Sequence, residues 1–136
     1  MTDYANYVRT FYEHYVAERA EEALAMLTED VEWRAPNCLP YGGVYHGRDG
    51  VTTYATTAAS HYDYITVEVE DAVEAGPGRV ITTGKFGGKT KERQTEFEVP
   101  FCQTWEFRDG KGAALEYWND SGAVLRALGV APAPLP

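Results

Sequence analysis

Basic charge is scarce in this chain. Its 136 residues carry 12 Lys and Arg against 21 Asp and Glu, a net charge of −9. Nucleic acids and anionic membranes are gripped by clustered Lys and Arg, so neither is an expected partner. Cysteine is scarcer still, with only Cys38 and Cys102. Two are too few for a disulfide framework and lack metal-ligand spacing, which points to reduced thiols and a cytoplasmic protein. No apolar run approaches the roughly 20 residues of a membrane span. Met1-Thr2-Asp3-Tyr4 lacks the basic-then-apolar start of a secretory signal. His14, His46 and His61 lie far apart, with no HxH or HExxH spacing, so no metal is expected. There is no GxGxxG, Walker or nucleophile-elbow motif, and no cofactor is expected.

Aromatic residues, by contrast, abound: 10 Tyr, 5 Phe and 3 Trp. Large rings wall large cavities as readily as they fill cores. Thr95 to Arg108 is the clearest local pattern. Phe97, Val99, Phe101, Trp105 and Phe107 alternate with Glu96, Glu98, Thr104, Glu106 and Arg108. That is a long, half-buried strand, suited to a curved sheet around a cavity. Gln103 interrupts its apolar face, so a partner or a ligand must meet the amide.

Tyr4, Tyr7, Val8, Phe11, Tyr12, Tyr15 and Val16 predict an amphipathic helix to about Ala20, capped by Thr2 or Asp3. Ala23 to Leu27 predicts a second, short helix, and Val31 to Ala35 a brief strand ended by Pro36. Asn37 to Gly50 reads as loop, and Asp49 to His61 as a third helix. Strands follow at Ile65 to Glu70 and Arg79 to Phe86, with Gly87-Gly88-Lys89 as a loop or bulge. Asp109-Gly110-Lys111-Gly112 marks a hairpin into a last strand, Ala113 to Asp120. A closing helix runs from Ser121 to Leu128, stopped by Gly129. Helices followed by an antiparallel meander give an α+β class, one domain over 1–130 with a mobile Pro-rich tail over 131–136.

This order resembles the nuclear transport factor 2-like (cystatin-like) fold, most closely its SnoaL-like, ketosteroid-isomerase-related group. Val31-Glu32-Trp33 through Pro40 to Arg48, Val99 to Trp105 with Arg108 to Lys111, and Tyr117 to Asp120 with Leu125 to Gly129 carry the likeness. It implies a cone: a curved antiparallel sheet wrapped round N-terminal helices, enclosing an aromatic pocket. It also implies a cofactor-free acid/base enzyme of cyclase, isomerase, dehydratase or hydrolase type, acting on a hydrophobic polyketide- or terpenoid-like molecule. The alternative is a binding or carrier domain without turnover; a structural dimerisation module is a third reading. The ketosteroid isomerase catalytic set is absent, since its three positions hold Ala35, Phe11 and Gln103.

By the family's strand parity, Glu116, Trp118 and Asp120 face the pocket. Asp120 resembles the general acid/base of several SnoaL-like cyclases; equally, it sits where an Asx residue caps the closing helix. Gln103 suits an oxyanion donor or a core amide bonded to a helix tyrosine. Glu116 either pairs with Asp120 or bridges to Arg34 or Arg126. Phe11, Tyr15, Trp33, Tyr54, Phe101, Trp105 and Trp118 complete the expected substrate-binding wall, although Tyr15 and Tyr54, as members of apolar helical stripes, are the kind of residue more often found in a core. A homodimer is expected through the outer sheet face, which carries Cys102 and Thr104.

Overall fold

The structure, a computed structural model, describes residues 3–134. Asp3 caps α1 (Tyr4–Val16) by accepting from the Asn6 backbone N–H at 3.0 Å. Thr2, the other expected cap, lies outside the described residues. The helix stops short of Ala20 because Glu18 turns left-handed, at φ 61°, a conformation that ends helices. Ala20 instead opens α2 (Ala20–Ala25). The following strands and helix are β1 (Leu27–Ala35), β2 (Gly43–His46) and α3 (Gly47–Ala59). The expected loop over 37–50 therefore contains an edge strand and the first turn of α3.

Four long strands follow: β3 (Tyr62–Glu74), β4 (Arg79–Thr90), β5 (Glu96–Arg108) and β6 (Lys111–Asn119). Helix α4 (Ser121–Leu128) closes the chain, with Asp120 as its cap and Gly129 at φ 73° as its stop. The expected loop at Gly87-Gly88-Lys89 does not form, although a bulge does fall beside it on β3, where Asp63 is extra between Tyr62 opposite Thr90 and Tyr64 opposite Lys89. β4 runs on in unbroken register with β5 from Arg79 opposite Glu106 to Lys89 opposite Glu96. Its glycines answer crowding instead. A Cβ at Gly84 would lie 1.9 Å from the Glu68 carbonyl oxygen and 2.9 Å from the Phe101 ring. One at Gly88 would lie 2.3 Å from the Tyr64 oxygen. The bent strand thus approaches its neighbours more closely than any side chain allows.

The six strands form one sheet in the order β2-β1-β6-β5-β4-β3. It is not wholly antiparallel: β1 runs parallel to β6, because the first strand inserts beside the last after the helical segment. Helix α1 crosses the concave side. Arg9 fastens it to β3, Nε donating to the Val69 carbonyl at 3.2 Å, and Tyr7 donates to the Met26 carbonyl. Phe11 meets Trp105 edge to face at 5.3 Å. In the tail, the Ala133 N–H donates to the Cys38 carbonyl at 2.9 Å; its last two residues lie outside the described ones. Among the described residues no helix is long and apolar enough to cross a membrane.

Candidate functional site

A cavity of about 860 Å³ opens between α1, α2, α3 and the start of β3. Aromatic rings build its wall. Tyr15 stacks on Trp33 at 6.2 Å between ring centroids; Trp33 meets Tyr54 at 5.2 Å, Tyr54 meets Tyr41 at 5.9 Å, and Tyr41 meets Tyr62 at 6.0 Å. The chain of rings continues through Phe86 to Tyr117. Phe11 and Tyr12 complete it from α1. The volume falls in the range of small-molecule pockets, and the lining is mainly apolar and aromatic.

The polar groups of this wall are mainly phenols. Tyr41 and Tyr62 share a hydrogen bond of 2.5 Å between hydroxyls. Gln103 donates through Nε2 to the Tyr12 hydroxyl and accepts from the Trp105 indole at 3.0 Å. The Trp33 indole nitrogen, the Tyr117 hydroxyl and the Asn119 amide nitrogen are buried without a partner. Burial pushes the Tyr62 phenol up to about 12. It raises Tyr12, Tyr15 and Tyr41 further; for Tyr12 the Gln103 hydrogen bond offsets only part of the effect. Tyr54 and Tyr117 are also held well above the ordinary phenol value by burial. Desolvation thus keeps these hydroxyls neutral, as donors rather than bases. The charged lining residues Glu18, Asp63 and Lys91 are exposed at the rim. Among the described residues no Asp, Glu or His is buried, and no three His, Cys, Asp or Glu side chains are grouped to hold a metal.

The wall expected from the sequence assembles in part. Phe11, Tyr15, Trp33 and Tyr54 line the cavity. Phe101 stacks behind Tyr117 at 5.6 Å, and Trp105 lies fully buried beneath Phe11. Gln103 is wholly buried between Tyr12 and Trp105, so it reaches the cavity only through Tyr12.

Three expected positions lie elsewhere. Gln103 stands opposite Tyr117, and Trp118 stands opposite Cys102 on the outer face, 45% exposed. Glu116, opposite Thr104, shares that outer face. Asp120 is exposed and accepts from the Ala123 N–H at 3.2 Å, as a helix cap. A single extra residue explains the shift. Asp109 and Gly110, both at positive φ, form a two-residue turn that pairs Arg108 with Lys111 and Phe107 with Gly112. Glu106 then pairs with Ala114, leaving Ala113 as a bulge. A slip of one residue turns every later side chain to the other face. Leu115, Tyr117 and Asn119 therefore point inward, and Glu116 and Trp118 outward.

Tyr12, Tyr41, Tyr62, Phe86 and Tyr117 are cavity residues that the expected wall omits. Tyr12 carried a signal, since it belongs to the apolar stripe of α1 and Gln103 required a partner. Tyr41, in the glycine-rich segment, carried none.

The SnoaL-like domain family profile matches residues 8–115. No protein of curated function matches the chain. Among solved structures, an NTF2-like protein of unknown function from Burkholderia pseudomallei superposes with TM-score 0.85 at 24% identity, over 94% of this chain and 98% of that one. TerC, co-crystallised with polyporic acid, gives 0.83 at 23% identity, over 91% and 96% of the two chains. A protein with a ketosteroid isomerase-like fold from Catenulispora acidiphila, in complex with trimethylamine, gives 0.80 at 17% identity, over 96% and 97%. At these identities the structures establish fold alone. With its profile match spanning most of the sequence, the chain belongs to the SnoaL-like domain family, on the nuclear transport factor 2-like fold.

Proposed function

We propose that the aromatic cavity takes a flat, hydrophobic, oxygen-bearing molecule of polyketide or terpenoid character and acts on it without a cofactor. The carrying observation is that seven tyrosines line the cavity while, among the described residues, the charged ones of its lining stand at the rim. Neutral phenols stabilise negative charge as it develops on oxygen, the step shared by enolate-forming cyclisations and isomerisations, while the proton leaving carbon passes to a rim carboxylate, Glu18 or Asp63, or to water at the mouth. In this reading Tyr12 makes the contact with the substrate oxygen and Gln103 supports it from behind. Asp120 is left out of the proton transfer, since its carboxylate is engaged at α4. Two structural neighbours, TerC with polyporic acid and the Catenulispora protein with trimethylamine, were solved with small organic molecules, which supports a ligand-binding role.

The second reading is a binding or carrier domain without turnover. The absence of a buried carboxylate or imidazole among the described residues favours it, because a neutral phenol is a poor base. Incubation with aryl ketones and β-ketoesters, followed by chromatography, separates the two. Rearranged or cyclised product that disappears in Tyr12→Phe supports the enzyme. Saturable binding with unchanged ligand supports the carrier, and no binding contradicts both.

We also infer a homodimer through the outer sheet face. Ile81, Thr104 and Trp118 lie there on adjacent strands, and Ile81 and Trp118 are unusually exposed for their size. A C2 pairing buries such a face.

A further inference from the structure

Behind the cavity wall runs a hydrogen-bond relay whose direction follows from chemistry. The Trp105 indole N–H can only donate. Its partner 3.0 Å away on Gln103 must therefore be the carboxamide oxygen. That turns the amide nitrogen toward Tyr12, where it donates to the hydroxyl oxygen. An amide nitrogen accepts nothing, so Gln103 does not consume the Tyr12 proton. Among the described residues the Tyr12 hydroxyl makes no second hydrogen bond, and Tyr12 lines the cavity. Trp105 and Gln103 are both wholly buried, so water does not compete for the relay.

We propose that Trp105, acting through Gln103, makes Tyr12 an obligate hydrogen-bond donor to the cavity, so that the site selects ligands by an acceptor oxygen of carbonyl type. The proposal rests on the small-molecule reading above and adds to it a ligand class and a positioning residue. Without the indole, the amide is free to turn. Its oxygen would then take the Tyr12 proton, and the hydroxyl would offer the cavity a lone pair.

A shape-matched pair of probes reads this directly: 2-acetylnaphthalene, which carries a carbonyl, and 2-isopropenylnaphthalene, which carries a methylene in its place. The full chain is expected to bind the ketone roughly 3- to 10-fold more tightly, the worth of one net hydrogen bond. Trp105→Phe keeps a ring but removes the donor, and Tyr12→Phe removes the hydroxyl. In both, the preference is expected to fall to near one while the hydrocarbon still binds, a pattern that loss of packing alone does not produce. Equal binding of both probes by the unaltered protein overturns the proposal and leaves the small-molecule reading standing. Binding of neither overturns both. Retained preference in Trp105→Phe overturns the role of Trp105. If Trp105→Phe does not fold, nuclear Overhauser contacts in the unaltered protein decide. Contacts from the Gln103 amide protons to the Tyr12 ring are expected, and contacts from them chiefly to the Trp105 indole proton contradict the relay.

Discussion

Tyr117 stands directly opposite Gln103 across the β5–β6 ladder, while its neighbour Trp118 stands opposite Cys102 on the other side of the sheet. The two adjacent aromatics should therefore respond oppositely to truncation. Tyr117→Ala removes a ring stacked on Phe101 and is expected to cost about 3 kcal/mol. Trp118→Ala removes an exposed ring and should stay within about 0.5 kcal/mol for the isolated protomer. Urea unfolding of both variants at low protein concentration measures the difference.

Much of the frame was legible because it rests on periodicity. The alternation from Phe97 to Phe107 fixes β5 and its inward face, and the stripe from Tyr4 to Val16 fixes α1. Gly129 and Asp120 mark both ends of α4. The cavity face of β6 was not legible. The two-residue turn at Asp109-Gly110 is readable, but the bulge at Ala113 is a tertiary accommodation, and it alone decides whether Glu116 or Tyr117 looks inward. Gly112 sits at that crowded point, where a Cβ would lie 2.8 Å from the Trp105 ring. The parallel pairing of β1 with β6 is equally a matter of topology, as neither strand carries a local mark of its partner.

Asp120 offers a sharp choice between chemistry and capping. Asp120→Asn is expected to leave activity and melting temperature nearly unchanged, because Asn caps as well as Asp. Asp120→Ala is expected to cost about 1 kcal/mol. A loss of turnover by 10-fold or more in the Asn variant, by an order-of-magnitude standard for proton transfer, would return the carboxylate to the mechanism.

Stability should fall at high pH for a specific reason. Phenols in the unfolded chain ionise near pH 10, by the usual tyrosine value of about 10. Those in the cavity wall are held above it by burial, Tyr62 up to about 12. Between these values the folded protein holds more protons than the unfolded one, so stability declines as pH rises. Below about pH 10 both states are protonated and these groups add no slope. Absorbance at the tyrosinate band is expected to show the phenols of the cavity wall titrating only as the protein unfolds. Full titration of all the phenols near the ordinary value in folded protein would contradict their burial.

The proposed dimer is testable at its centre. Trp118→Arg places a charge on the outer face and is expected to convert a sedimenting dimer to a monomer with its circular dichroism spectrum unchanged. A monomer in the unaltered protein at micromolar concentration would remove the dimer from the account.

The three indole N–H signals give the most direct test of the cavity itself, because the tryptophans occupy three different environments. Trp33 lines the cavity, Trp105 lies beneath its wall, and Trp118 is on the outer face. In a nitrogen–proton correlation spectrum titrated with 2-acetylnaphthalene, the Trp33 signal is expected to move to saturation while that of Trp118 stays in place. Movement of Trp118 with Trp33 unchanged, or no movement of any indole signal as the probe reaches its solubility limit, would contradict a ligand site in this cavity.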